Sequence, residues 1–132
     1  MRVLIIDDDV GIRRVLAREM GRLGHETLQA NDGVEGIALA KKSKPSVILL
    51  DLRMPRMDGH AFLKQLASED LKASVIVLSG HADLNDRVNV LLAGAVQFVP
   101  KPWTPADLGK ALQRAVERHA SQAAWSAPGS RS

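Results

Sequence analysis

The residues best suited to chemistry in this 132-residue chain are acids, a hydroxyl and an amine, each standing directly after a short apolar run. Asp7, Asp8 and Asp9 follow Val3 to Ile6, Asn31 and Asp32 follow the weaker run Glu26 to Ala30, and Asp51 follows Val47 to Leu50. Ser79 and Gly80 follow Val75 to Leu78, and Pro100, Lys101 and Pro102 follow Val96 to Val99. If the first and third runs are neighbours, Asp7, Asp8 and Asp51 converge, and carboxylates that close repel unless a cation lies between them. Carboxylate oxygens, a main-chain carbonyl and water suit a hard octahedral ion such as Mg²⁺, with Mn²⁺ as a substitute. A hydroxyl and an ammonium aimed at a carboxylate beside such an ion meet the needs of a phosphoryl group in transfer, whose equatorial oxygens carry the charge to be neutralised. An Asp carboxylate can itself accept that group as an acyl phosphate, and Gly80 leaves the approach to Asp51 open. Singly, each acid reads equally as a solvated loop residue or a helix cap; it is the set that carries the chemistry.

The elements that must position this set are legible as two alternating patterns. The five runs are short and rich in Val and Ile, and those apolar at every position read as strands buried on both faces, as in a parallel sheet. Between them lie stripes of helical spacing: Ile12, Val15, Leu16, Met20 and Leu23; Val34, Ile37 and Ala38; Phe62, Leu63 and Leu66; Val88, Leu91 and Leu92; Leu108, Leu112 and Val116. Gly24 and Gly94 stand where left-handed caps end the first and fourth helices, and Thr104-Pro105-Ala106-Asp107 reads as the start of the fifth. Asp9 is a candidate cap for the first helix. Strict alternation with short connections implies right-handed crossovers and helices on both faces of the sheet, an α/β fold in three layers. In such sheets ligands bind outside the carboxyl ends of the strands, where strand order reverses.

Composition narrows the function classes. No cysteine is present, which excludes a disulfide scaffold, a thiolate zinc site and a Cys nucleophile, and the four histidines His25, His60, His81 and His119 have no metal-cage spacing. The formal net charge is only +3 and the basic residues are spread out, so no nucleic-acid contact is expected of this chain. No apolar run is long enough to span a bilayer and no signal peptide is seen, so no membrane contact is expected and the expected location is cytoplasmic.

The strings Val3-Leu4-Ile5-Ile6-Asp7-Asp8-Asp9, Val47 to Asp51 with Leu52-Arg53-Met54-Pro55 and Met57-Asp58-Gly59, Val77-Leu78-Ser79-Gly80, Ala93-Gly94-Ala95, and Phe98-Val99-Pro100-Lys101-Pro102 stand in order with characteristic separations. Over about residues 2 to 119 the chain resembles the receiver domain of bacterial two-component response regulators, the chemotaxis type. The resemblance implies a flavodoxin-like (βα)5 sandwich with strand order 2-1-3-4-5. It implies Asp51 as the phosphoacceptor for a histidine-kinase phosphohistidine, with Mg²⁺ held by Asp8, Asp51, the main-chain carbonyl of Arg53, and Asp7 directly or through water. Lys101 would pair with the phosphoryl oxygens. Ser79 would donate its hydroxyl to the phosphoryl group and Phe98 would swing into the space vacated, changing the surface formed by the fourth helix, fifth strand and fifth helix. The bond preceding Pro102 is expected to be cis, and Arg53 and His81 to tune the phosphoryl lifetime. Implied partners are a sensor histidine kinase or phosphotransfer protein, an output domain or effector, and a second copy in a phosphorylation-dependent homodimer.

Three alternatives compete. Asp7-Asp8-Asp9 fits the D-x-D start of the opening motif of haloacid-dehalogenase-like phosphatases, with Asp7 as nucleophile, but no acidic pair follows Lys101 and the chain is short for a cap and core. A same-fold binding module without phosphotransfer would not need the intact acidic, hydroxyl and amine set. A flavin carrier would place a phosphate against three carboxylates. Arg14, Arg18 and Arg22 form a basic edge on the first helix that suits kinase docking or plain solvation. Residues 120 to 132 read as a flexible tail or the start of a linker, in which Trp125 alone has something to bury.

Overall fold

The computed structural model describes residues 1–51, 59–69, 71–79, 91, 95, 97–100 and 103–124, with side chains through Glu117 in the last segment. Five strands, β1 (Arg2–Ile6), β2 (Glu26–Ala30), β3 (Val47–Asp51), β4 (Ser74–Ser79) and β5 (Gln97–Pro100), form one parallel sheet in the order β2-β1-β3-β4-β5. Three helices, α1 (Val10–Arg22), α2 (Gly33–Ser43) and α3 (Gly59–Ser68), and a C-terminal helix (Pro105–Ala124) flank it. The architecture is the flavodoxin-like doubly wound sandwich expected from the sequence. Leu91 is helical, but Val88, Leu92 and Gly94 of the fourth expected helix lie outside the described residues.

Period-two alternation in strands buried on both faces splits the core in two. Leu4, Ile6, Ile48, Leu50, Val75 and Val77 face α2 and α3 around Phe62, whereas Val3, Ile5, Val47, Leu49, Ile76 and Leu78 face α1 and the C-terminal helix around Leu16, Met20, Leu108 and Leu112. The strand β2 lies at the sheet edge and only Ala30 in it is buried, which is why its apolar run is the weakest. Each fully buried aliphatic side chain contributes about 1.5–3 kcal/mol, so the central strands β1, β3 and β4 anchor the sheet. Gly36 lets α2 pack tightly on it: a Cβ there would lie 2.5 Å from Ile6 Cδ1 and 3.2 Å from Phe62 Cε1.

The helix ends follow the sequence signals. Asp9 caps α1, its Oδ1 accepting from Gly11 N–H at 2.8 Å and Ile12 N–H at 3.2 Å. Gly24 takes φ +92° after the last turn. Its N–H donates to Gly21 O at 2.9 Å and that of His25 to Met20 O at 3.1 Å, the paired bonds of a Schellman ending. Thr104 and Asp107 close a reciprocal capping box at 2.9 and 3.1 Å. Two features carried no such signal. Lys44 adopts the left-handed conformation (φ 49°) that ends α2, a place where glycine is the expected residue. The C-terminal helix runs through Ala124, so residues 120–124 are helical rather than a flexible tail, since Ala120-Ser121-Gln122-Ala123-Ala124 contains no Gly or Pro and alanine is the best helix former.

Candidate functional site

The parallel register builds the site. On the central pair β1 and β3, Ile6 is level with Leu50, so the next residues, Asp7 and Asp51, emerge together at the carboxyl end of the sheet. Asp51 is in turn level with Leu78 on β4, and Ser79, one step further on, is level with Pro100 on β5. With neighbouring strands about 4.8 Å apart, the crossover point between β1 and β3 gathers carboxylates that are far apart in sequence. Oxygens of Asp7, Asp8 and Asp51 lie within 4.8 Å of one another. Asp7 is 2% exposed, Asp51 half-buried and Asp8 open to solvent.

The loop between β1 and α1 is held from several sides. The Asp7 carboxylate accepts the Asp9 N–H at 2.9 Å, and the Asp7 N–H donates to Ala30 O at 3.2 Å, extending the ladder with β2. The Arg13 guanidinium, one turn into α1, donates to the main-chain oxygen of Asp7 at 2.7 Å and to Asn31 Oδ1 at 3.1 Å, with a longer contact to Gln29 Oε1 at 3.4 Å. On the neighbouring loop Asp32 caps α2 by accepting from Glu35 N–H at 2.9 Å, while Glu35 Oε1 accepts from Asn31 N–H at 2.9 Å. Asn31 and Asp32 therefore serve the local loop and cap, and Asp9 serves as a cap rather than joining the acidic cluster.

The donor set fits a divalent ion: hard carboxylate oxygens from three residues converge from two strand ends, with the solvent side of Asp8 accessible to water ligands. Ser79 is buried at the end of β4. Phe98 is also buried, within the α2 and α3 side of the core, level with Val77. Lys101, Pro102, Arg53, His81 and Gly80 lie outside the described residues. Of the basic edge, Arg14 and Arg18 are exposed, and Arg22, also exposed, pairs with Glu19, whose carboxyl that guanidinium holds below the usual range. Sequence reasoning missed Arg13. Its partner at the acidic loop is a backbone oxygen, which leaves no mark in residue types.

The structure is that of a doubly wound α/β domain, a class that binds its ligands at the switch point of the sheet, and here the β1/β3 switch point carries a carboxylate cluster. Residues 3–113 match the family model of the response regulator receiver domain, and the chain belongs to that family, which works in two-component signal transduction. It is 36% identical over 116 residues to regulatory protein AtoC of Escherichia coli (strain K12), covering 88% of this chain and 25% of that protein. It is 34% identical over 118 residues to response regulator MprA of Mycobacterium leprae (strain TN), covering 89% of this chain and 52% of that protein. Among solved structures, chemotaxis protein CheY4 of Vibrio cholerae superposes with a TM-score of 0.82 at 30% identity, covering 86% of this chain and 97% of that one. The chain spans about half the length, or less, of the curated relatives it matches. The haloacid-dehalogenase-like alternative finds no support in these matches. No described helix is long and apolar enough to cross a membrane.

Proposed function

We propose that this chain is a phosphorylation-driven signalling switch that accepts a phosphoryl group on Asp51 from a phosphohistidine of a sensor kinase or phosphotransfer protein. The observation that supports this most is the approach of the Asp7, Asp8 and Asp51 oxygens to within 4.8 Å at the switch point of the sheet. An Asp51 oxygen attacks phosphorus in line as the donor's N–P bond breaks, and the electron pair leaves on the imidazole nitrogen. Asp8, Asp51, the main-chain carbonyl of Arg53 and Asp7 would hold Mg²⁺, with Mn²⁺ as a substitute. When bound, the ion supplies positive charge against the phosphoryl oxygens. Lys101 would pair with those oxygens, and Pro102 beside it is the cis-proline that the resemblance implies.

Ser79 hydrogen-bonds the loaded phosphoryl group, and Phe98 follows into the space this vacates. Arg53 and His81 set the access of water and thereby the lifetime of the acyl phosphate. The surface beside β5 then favours an output domain, an effector or a second copy. A ligand can bias that equilibrium only by its differential contacts with the two states. The receiver reading assigns residues 1 to 119 to the receiver domain and residues 120 to 132 to a tail or linker whose first five residues continue the last helix, and assigns the chain to the cytoplasm and to contacts with proteins rather than nucleic acid or membrane.

Acetyl phosphate with Mg²⁺ tests the reading. One phosphoryl mass is gained, is released by hydroxylamine, and is absent from Asp51→Asn. Incorporation that persists in Asp51→Asn and vanishes in Asp7→Asn would refute it.

A further inference from the structure

We infer that Arg13 is a positioning residue that sets the divalent-ion affinity of the acidic cluster by locking the peptide plane between Asp7 and Asp8. The inference rests on the reading of Asp7, Asp8 and Asp51 as a divalent-ion site and assigns to a helix residue outside that cluster a part in its function.

The argument begins with the backbone. The ladder between β1 and β2 reaches its last bond at the Asp7 N–H. Beyond it the β2 chain turns, and the amide of Asn31 is taken by Glu35 Oε1 at 2.9 Å. The Asp7 main-chain oxygen accepts from Arg13 Nη1 at 2.7 Å. That oxygen belongs to the same rigid peptide unit as the Asp8 N–H. Fixing it fixes the direction in which Asp8 leaves the chain. The carboxylate of Asp7 is tied separately by the Asp9 N–H at 2.9 Å. Two of the three cluster acids are thus oriented from one loop, and Arg13 holds the part of that loop between them.

The second argument is electrostatic. Among the described residues Arg13 forms no ion pair with a carboxylate. A guanidinium beside the Asp7 backbone opposes the mutual repulsion of the acids, yet it occupies no carboxylate oxygen that an ion would need. The same Nη1 reaches Asn31 Oδ1 at 3.1 Å, which ties the β2–α2 loop to the acidic loop and gives the guanidinium a fixed orientation. The Nε contact to Gln29 Oε1 at 3.4 Å orients the guanidinium from a second nitrogen, and lysine, whose ammonium lacks the planar fork, cannot reproduce that.

Calorimetric titration of the full chain with MgCl₂ tests the assignment, alongside melting in EDTA. Groups that orient metal ligands typically cost about 10–100-fold in metal affinity when removed. Arg13→Met, which keeps the aliphatic stem and loses every donor, is expected in that range, and Arg13→Lys roughly three- to tenfold weaker than wild type. Either folded variant binding Mg²⁺ within about twofold of wild type would overturn the inference, even if its melting temperature falls, because that pattern marks a purely structural role. If Arg13→Met does not fold, Arg13→Lys still decides. Asp8→Asn separates the two levels of failure. Wild type giving no Mg²⁺ heat that Asp8→Asn abolishes refutes the ion site itself, whereas a normal wild-type and Asp8→Asn pair with unaffected Arg13 variants refutes only the role of Arg13.

Discussion

Three carboxylates held together by strand register should cost the ion-free fold stability, and removing one should return it. Asp8 is the clean site for the perturbation, being open to solvent while its oxygen lies within 4.8 Å of those of Asp7 and Asp51. Two unit charges at that separation repel by at least about 0.9 kcal/mol in a medium as polar as water. Asp8 faces two such neighbours, and screening at 0.15 M salt, with a Debye length of about 8 Å, removes something under half of the repulsion. Asp8→Asn is therefore expected to stabilise the chain by about 1–2 kcal/mol in EDTA. For a domain of this size that is a rise in melting temperature of roughly 3–8 °C. The gain should shrink as NaCl is raised and reverse in Mg²⁺, because the wild type alone gains RT ln(1 + [Mg²⁺]/Kd). Thermal melts with and without EDTA, at two salt concentrations, measure all three effects. An unchanged or lowered melting temperature for Asp8→Asn in EDTA would show that the cluster carries no net repulsion, and the electrostatic case for a cation would fail.

Further substitutions check the local arguments. Gly24→Ala places a Cβ at φ +92°, and about 1–2 kcal/mol should be lost in denaturant unfolding with m unchanged; a neutral result would mean that the ending of α1 relaxes freely. Thr104→Ala removes the side chain that accepts from Asp107 N–H at 3.1 Å and should cost about 1 kcal/mol, read from the same unfolding curves. Phe62→Ala empties the centre of the α2 and α3 side of the core and should cost about 3–5 kcal/mol, enough to show as a large fall in melting temperature. Burial, and then the nearby N-terminal ammonium, hold the His25 pKa below its ordinary value. Between that depressed value and about 6.5 the unfolded chain binds the extra proton. Stability therefore falls as pH drops below about 6.5, and His25→Gln should flatten this slope relative to wild type.

Sequence alone reveals those parts of the molecule where one physical demand selects residue type. Strands buried on both faces demand unbroken apolar runs, so β1, β3 and β4 are visible, while edge strand β2, with only Ala30 buried, is faint. A left-handed helix ending usually demands glycine, so Gly24 is visible; Lys44 performs the same duty without glycine and is not. The end of the C-terminal helix is misplaced for a related reason. Burial periodicity fades near residue 119, but helix propensity, which needs no buried face, carries the backbone on to Ala124. At the site, Asp7, Asp8 and Asp51 are legible because carboxylates at strand ends are conspicuous. Arg13 is not, because a guanidinium serving a carbonyl oxygen leaves the partner's residue type unconstrained.

The precision of the cluster follows from where the chemistry sits in the sheet. Asp7 and Asp51 extend the two strands whose side chains are buried on both faces, and a slip of one residue between β1 and β3 would exchange the core partners of every residue in both strands. Such a slip would turn either Ile6 or Leu50, whichever strand moved, away from Phe62, as well as separating the acids. The burial that stabilises the fold therefore also fixes the distance between carboxylates some forty residues apart. What burial cannot fix is the orientation of the residues beyond the last paired rung, and it is there that polar contacts accumulate: Asp9 N–H on the Asp7 carboxylate, and Arg13 on the Asp7 carbonyl. Distance is set by the apolar core and direction by the hydrogen bonds at its rim, so substitutions in the two classes should separate experimentally. Core changes such as Phe62→Ala should lower stability with ion affinity following it, whereas rim changes such as Arg13→Met should alter ion affinity out of proportion to stability.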